Sequence, residues 1–289
     1  MRHSTRTKLL IASLSFVVSC VQSSDAPELS RTDKESTTEY YQDILGVSDA
    51  DPNTLRSELH VLIDNHQSFP YSSNSWTDTW DILEEAQALP NDPESIVDIY
   101  RNKVFPIGGW NKPYNREHVW PKSYGFPASD GYSDPHNDCH ALFLSDAGYN
   151  SARSNKPYRN CNTNCTAKPT VNGSPNLLGI NGWETWQGRR GDVARAIFYM
   201  DLRYEAGEED DSWEPNLVVT NNPSLIKSSS KHKNVAYMGL LATLLEWHQE
   251  DPVDDWERQH NEVVYQYQGN RNPFVDHPNW VECIYQGSC

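Results

Sequence analysis

Long hydrophobic runs are almost missing from this chain of 289 residues, and the single continuous one, Leu9 to Val18, is too short to span a bilayer. Nothing later is both long and apolar enough, which excludes an integral membrane protein built on helices. No repeat of fixed period occurs, which excludes a solenoid or propeller. Positive charge is scarce. Lys and Arg total 24 against 40 Asp and Glu, and the net charge of −16 at first argues against a polyanionic partner. Helix-turn-helix and zinc-finger patterns are absent, so base-specific reading of nucleic acid is not expected. Two histidines three or four apart on one helix, the spacing a zinc hydrolase would use, are not expected.

The short apolar run has its own meaning. Arg2, His3, Arg6 and Lys8 precede it, giving residues 1–24 the pattern of a secretory signal. It closes on Val17-Val18-Ser19-Cys20, which resembles a bacterial lipoprotein signal with Cys20 as the lipidated residue, and ordinary cleavage nearby is the equal alternative. The mature chain is therefore expected to be secreted, periplasmic or lipid-anchored, and to fold as a monomer. Residues 25–45, rich in Ser, Thr, Asp and Glu, read as a flexible leader before a domain over 46–289. Export permits disulfides. The short separations suggest Cys161 with Cys165 and Cys283 with Cys289, leaving Cys139. A zinc site at Cys161 and Cys165 ranks lower, because no second close Cys/His pair accompanies them.

Charge is unevenly spread. Residues 101–203 hold 13 Lys and Arg against 8 Asp and Glu, a surplus of five, so the remainder carries −21. A basic middle inside an acidic shell is compatible with a groove that neutralises phosphates. Leu55, Leu59, Leu62 and Ile63 recur at helical spacing, as do Trp80, Ile82 and Leu83 before Pro90. Asp192 is expected to cap a helix with Val193, Ile197 and Met200 on one face. A long apolar helix is expected over Val235 to His248, and a further one over Trp256 to Tyr267. Asn160 to Gly182 reads as a surface loop held by a local disulfide. Trp110 and Trp120 are more often core than base-stacking residues.

The chemistry concentrates in Asn115-Arg116-Glu117-His118-Val119-Trp120-Pro121-Lys122-Ser123. Hydrolysing a phosphodiester needs an activated water, charge neutralisation and a hold on the strand. A neutral His118 can take a proton from water. Glu117 offers hard oxygen ligands suited to Mg²⁺ or Ca²⁺, and Asn150 can add an amide oxygen. Arg153 can grip phosphate bidentately. Arg116, Lys122 and Arg190 are candidate strand contacts, and at least one arginine among Arg189, Arg190 and Arg195 is expected to pair with Asp192 or Asp201. Asp138 and His140 are expected to orient the motif or to pack beneath it.

Together with Asp138-x-His140-x-Leu142, Asn150-x-x-Arg153-Ser154-Asn155, the run Arg190-Gly191-Asp192-Val193-Ala194-Arg195-Ala196 and the run Gln268-Gly269-Asn270-Arg271-Asn272-Pro273-Phe274, this stretch resembles the bacterial endonuclease I family of ββα-metal (His-Me finger) nucleases. The resemblance covers about residues 50 to 280. It implies an α+β fold with a ββα-metal core and surrounding helices. It also implies His118 as general base, Glu117 and Asn150 as ligands of one Mg²⁺ (Ca²⁺ or Mn²⁺ being alternatives), and cleavage to a 5′-phosphate and a 3′-hydroxyl. Two features depart from the pattern. Gly148 and Ala152 stand where members often carry acids, and the interval between the motifs lacks the Cys- and Arg-containing insertion of some periplasmic members.

The expectation is an exported endonuclease that hydrolyses DNA, with RNA left open, and has little sequence preference. Two rivals come from other classes: a zinc hydrolase using His118, Asp138 and His140, and a catalytically silent surface protein that binds nucleic acid or calcium.

Overall fold

The computed structural model describes residues 36–46, 51–108, 112–127, 134–207 and 214–289. The signal and lipidation reading of residues 1–24, most of the leader, and Trp110 lie outside them. Part of the expected leader is folded. Ser36 and Glu39 form a reciprocal capping box at the start of α1 (Thr37–Tyr40). Tyr41 and Ile44 follow into the core, and the Tyr41 hydroxyl donates to Asp276 at 2.9 Å. Residues 36–45 of the leader expected over 25–45 are thus folded, because two apolar side chains find a place to pack.

Helix α2 (Pro52–Asp64) starts on the Asp51 cap with proline in its first turn, and it buries Leu55, Leu59 and Ile63 along one stripe. Helix α3 (Thr79–Ala86) is capped by Asp78 and buries Ile82 and Leu83. Strands β1 (Ala88–Leu89), β2 (Asp92–Val97) and β3 (Val104–Pro106) make an antiparallel meander. The central pair then forms from β4 (Tyr114–His118) and, after the short helix α4 (Asp134–Asn137) and a 3-10 turn at Cys139–Ala141, β5 (Leu142–Asp146). They run antiparallel, with Glu117 opposite Phe143 and His118 opposite Leu142. The Asp146 carboxylate caps α5 (Ala147–Arg153) by accepting from the Gly148 and Tyr149 amides. Strand, strand and helix are the ββα order.

A side chain does the work of a missing neighbour strand beside β5. The Gln87 amide accepts from Leu144 N at 2.6 Å and donates to the carbonyls of Leu144 and Val97, while Ile99 N also reaches the Leu144 carbonyl. These bonds satisfy buried backbone groups that no adjacent strand among the described residues covers.

Strands β6 (Thr166–Lys168), β7 (Asn176–Leu178) and β8 (Trp183–Glu184) form a second antiparallel sheet. Helix α6 (Arg190–Arg203) is buried from Gly191 to Arg203 on every side, not on one face. Its charged residues survive burial through partners. Arg195 pairs with Glu257, Arg203 with Glu214 and Asp64, and Asp201 with Arg56. Asp192 does not cap it. Arg189 holds the cap position without a side-chain bond, and Asp192 sits buried in the first turn.

The long helix expected over Val235 to His248 is two elements. Val235–Met238 is strand β10, paired in parallel with β9 (Asn216–Val219), and the helix α7 begins only at Leu241 and ends at Glu250. Gly239 separates them. A Cβ there would lie 2.2 Å from the Thr220 carbonyl, so only glycine allows the chain to pass. Helix α8 (Asp255–Gln268) starts on the Asp254 cap and ends on Gly269 in the left-handed conformation. Helices α9 (Pro273–Asp276) and α10 (Trp280–Gln286) close the chain. Disulfides join Cys161 to Cys165 and Cys283 to Cys289, and Cys139 is a buried free thiol, as the spacing implies. The fold is α+β, and no helix among the described residues is long and apolar enough to cross a membrane.

Candidate active site

Alternation along β4 sorts the motif onto two faces. Tyr114, Arg116 and His118 turn toward the α3 side, where the Tyr114 hydroxyl donates to Glu84 and the Arg116 guanidinium meets Tyr71 and Thr79. Asn115 and Glu117 turn toward α5. There the Asn150 amide nitrogen donates to Asn115 Oδ1 at 2.8 Å and to the Arg116 carbonyl at 3.1 Å, which leaves the amide oxygen of Asn150 as an acceptor.

Glu117 is 2% exposed. Its Oε1 accepts from the Tyr100 hydroxyl at 2.8 Å and lies 2.7 Å from Arg153 Nη1, while the Tyr158 hydroxyl lies 2.7 Å from that of Tyr100. Burial pushes the Glu117 carboxyl up to about 7, against the pull of Arg153 and the two tyrosines. Arg153 is itself enclosed. It donates to the carbonyls of His118 at 2.9 Å and Val119 at 2.6 Å, and its guanidinium lies 4.4 Å over the Tyr158 ring.

His118 ends β4. Its Nε2 is 3.0 Å from the His136 carbonyl, which can only accept, so Nε2 carries the hydrogen and Nδ1 the lone pair. Tyr71 stacks on the ring at 5.6 Å, with His136 tilted against it at 4.8 Å. Burial, together with the positive field of His136, Lys122 and Arg116, holds the imidazole well below its ordinary range. A neutral imidazole with a free basic nitrogen is equipped to accept a proton.

Other residues separate from this centre. Arg116 lies over the rings of Tyr71 at 3.4 Å and Trp80 at 4.3 Å and donates to Ser72 Oγ at 2.9 Å, so its fork ties loop 71–79 to β4 instead of facing solvent. Arg190 is engaged by Glu184 and by Glu250. Lys122 is exposed. Asp138 and His140 pack beneath the motif: Asp138 accepts from Tyr199, Tyr204, Gln268 and the His140 amide, and His140 Nε2 meets the Asn270 carbonyl at 2.9 Å. Among the described residues no three His, Cys, Asp or Glu side chains gather to hold a metal, so the zinc set of His118, Asp138 and His140 is not assembled. Trp120 is core, its indole N–H donating to the Tyr124 carbonyl. Sequence reasoning missed Tyr71, Tyr100, His136 and Tyr158. Tyr158, five residues past Arg153, and His136, two before Asp138, lay close enough to a motif to draw notice.

The antiparallel pair and helix, carrying an imidazole, a carboxylate and an amide, define an α+β protein with a polar ββα centre. The chain belongs to the endonuclease I family, whose model matches residues 52–279. An extracellular ribonuclease of Bacillus subtilis is 36% identical over 254 residues, covering 86% of this chain and 79% of its own. An extracellular ribonuclease of Bacillus amyloliquefaciens is 35% identical over 259 residues, covering 88% and 80%. The protein is a nuclease, a hydrolase of phosphodiester bonds.

Proposed function

We propose that this is an exported endonuclease that hydrolyses the backbone of DNA and of RNA with little base preference, using one Mg²⁺ ion. The observation that carries the reading is the His118 ring: fixed through Nε2, held neutral, and open at Nδ1. The names of the two Bacillus relatives support RNA as a substrate and an extracellular place of action. The apolar run Leu9 to Val18 supports export, and the mass of the mature N-terminus distinguishes cleavage near Cys20 from lipidation of that residue.

Donor chemistry fits the metal. Glu117 has Oε2 outside its contacts with Tyr100 and Arg153, and Asn150 keeps its amide oxygen, so one carboxylate and one amide oxygen can meet a hard cation that retains water and phosphate oxygens elsewhere. Mg²⁺ held there supplies positive charge against the phosphate oxygens. His118 Nδ1 takes a proton from water as the water oxygen bonds to phosphorus. The bond from phosphorus to O3′ breaks, and O3′ gains a proton from solvent, leaving a 5′-phosphate and a 3′-hydroxyl. Arg153 and Tyr100 orient Glu117, and the His136 carbonyl fixes the tautomer of His118. Exposed Lys122 adds positive charge on the His118 side.

The test is cleavage of supercoiled plasmid and of structured RNA by the mature chain with Mg²⁺, Mn²⁺, Ca²⁺ or chelator, beside His118→Ala and Glu117→Ala. Both polymers should be cut with Mg²⁺ and spared in chelator. Intact polymers with Mg²⁺, or undiminished cutting by His118→Ala, would sink the reading.

A further inference from the structure

Arg159 differs from the other arginines of the described residues. From Arg56 onward each of the others places its guanidinium on a carboxylate, carbonyl or hydroxyl oxygen. Arg159 makes no such contact, although it is half-buried. Its stem runs across Gly182, where a Cβ would stand 2.3 Å from Arg159 Cγ. It borders a cavity of about 310 Å³ whose walls include Asn162, Thr163, Gly179 and Asn181 and hold no acidic residue.

Two closures shape that cavity. The Cys161–Cys165 disulfide draws in one rim, and a turn in which Gly179 N donates to the Gly182 carbonyl at 3.0 Å draws in the other. Gly179 sits directly beside the disulfide, its missing Cβ 3.2 Å from Cys161 Sγ. Asn160 is committed elsewhere, accepting from Trp247 and donating to Glu246. A free guanidinium with amide and hydroxyl groups around it is the chemistry that selects a phosphate oxyanion. Arg159 directly follows Tyr158, the ring on which Arg153 stacks.

We propose that this cavity is a phosphate site, in which Arg159 grips a phosphodiester of the substrate strand away from the bond that is cut. The assignment rests on the nuclease reading above. Its ligand is a phosphate group, borne by the strand or free in solution.

The experiment measures binding of a fluorescein-labelled single-stranded oligonucleotide to the mature chain in chelator, over a range of salt, for the parent, Arg159→Ala and Asn181→Asp. Losing a charged contact should weaken binding about tenfold for Arg159→Ala, and the slope of log affinity against log salt should fall by about 0.7. Asn181→Asp, a substitution at an exposed rim position, should weaken binding without disturbing the fold. Equal affinity and slope in all three proteins overturns the proposal. Inorganic phosphate at fixed ionic strength separates the sources: competition in the parent but not in Arg159→Ala assigns the site to free phosphate as well, and equal effects assign it to the strand alone. Should the parent bind the strand yet cut nothing with Mg²⁺, the nuclease reading falls and the phosphate site stands. Should it cut while Arg159→Ala binds as the parent does, only the phosphate site falls.

Discussion

Arg153 Nη1 lies 2.7 Å from Glu117 Oε1, with the two side chains 1% and 2% exposed. A guanidinium kept for phosphate would face an open groove. This one also holds the His118 and Val119 carbonyls and packs on Tyr158. Arg153, expected to grip phosphate, is engaged in the fold by Glu117, two carbonyls and Tyr158, and we propose that it positions the end of β4.

Arg153→Ala should therefore act first on stability. Removing one partner of a buried ion pair strands the other, and the loss should be about 3–5 kcal/mol in urea unfolding. Arg153→Lys should recover part of it, because one ammonium cannot serve the carboxylate and both carbonyls. The salt dependence of strand binding should be the same for Arg153→Lys as for the parent. A shallower slope would restore Arg153 as a phosphate contact.

His118→Ala should lower the single-turnover rate with saturating Mg²⁺ by about 10²–10⁴-fold, the usual worth of a general base. Strand binding in chelator should be retained. Because burial and neighbouring charge hold this ring well below its ordinary range, it stays in the basic form through neutral and mildly acidic pH. Any acid limb due to His118 should lie below pH 6.5. A limb centred at 6.5 or above that vanishes in His118→Ala would contradict the burial argument.

Gln87 offers a test of how β5 is held. Gln87→Ala leaves Leu144 N without its 2.6 Å acceptor and removes the donor to the Val97 carbonyl, both buried. The cost should be about 2–4 kcal/mol in urea unfolding. Gln87→Glu should also destabilise, since a carboxylate can still accept from Leu144 N but cannot donate to the carbonyls of Val97 and Leu144. A Glu variant as stable as the parent would show that the donated bonds contribute nothing.

Local signals made part of this structure legible. Capped amphipathic segments such as α2, and closely spaced cysteines, declare themselves because short-range chemistry decides them. The motif residues Glu117, His118 and Asn150 were legible by type and order, and the fold brings them to one strand and the helix that follows β5. What stayed hidden depends on long-range packing. Tyr100 reaches Glu117 from 17 residues away, and Gln87 reaches Leu144 from 57. Val235–Met238 has the same apolar content in a helix or a strand, and only the Asn216–Val219 partner decides which. Nor does composition reveal that α6 buries Arg195, Asp201 and Arg203, because their partners Arg56, Asp64, Glu214 and Glu257 lie on other segments.

Asp192 yields a pH prediction away from the candidate active site. It is buried in the first turn of α6, with Arg189 at 3.7 Å and with Glu257, Asp254, Arg195 and Asp251 as charged neighbours. Burial outweighs Arg189 and pushes the carboxyl from 3.8 up to about 7. The native protein therefore holds a proton there that the unfolded chain releases. The stabilising contribution is complete below pH 3.8 and is lost as pH rises through about 7. Asp192→Asn keeps the shape and removes the titration, so its stability relative to the parent should rise between pH 5 and pH 8, by about 2–4 kcal/mol. Asp251, raised to about 6 chiefly by burial and next by Asp192, contributes its own slope in both proteins, and that slope should soften slightly in the variant. Urea unfolding of the two proteins at pH 5 and pH 8 decides the matter. A difference that does not change with pH would mean that Asp192 is ionised in the fold at both values, with Arg189 compensating its burial in full.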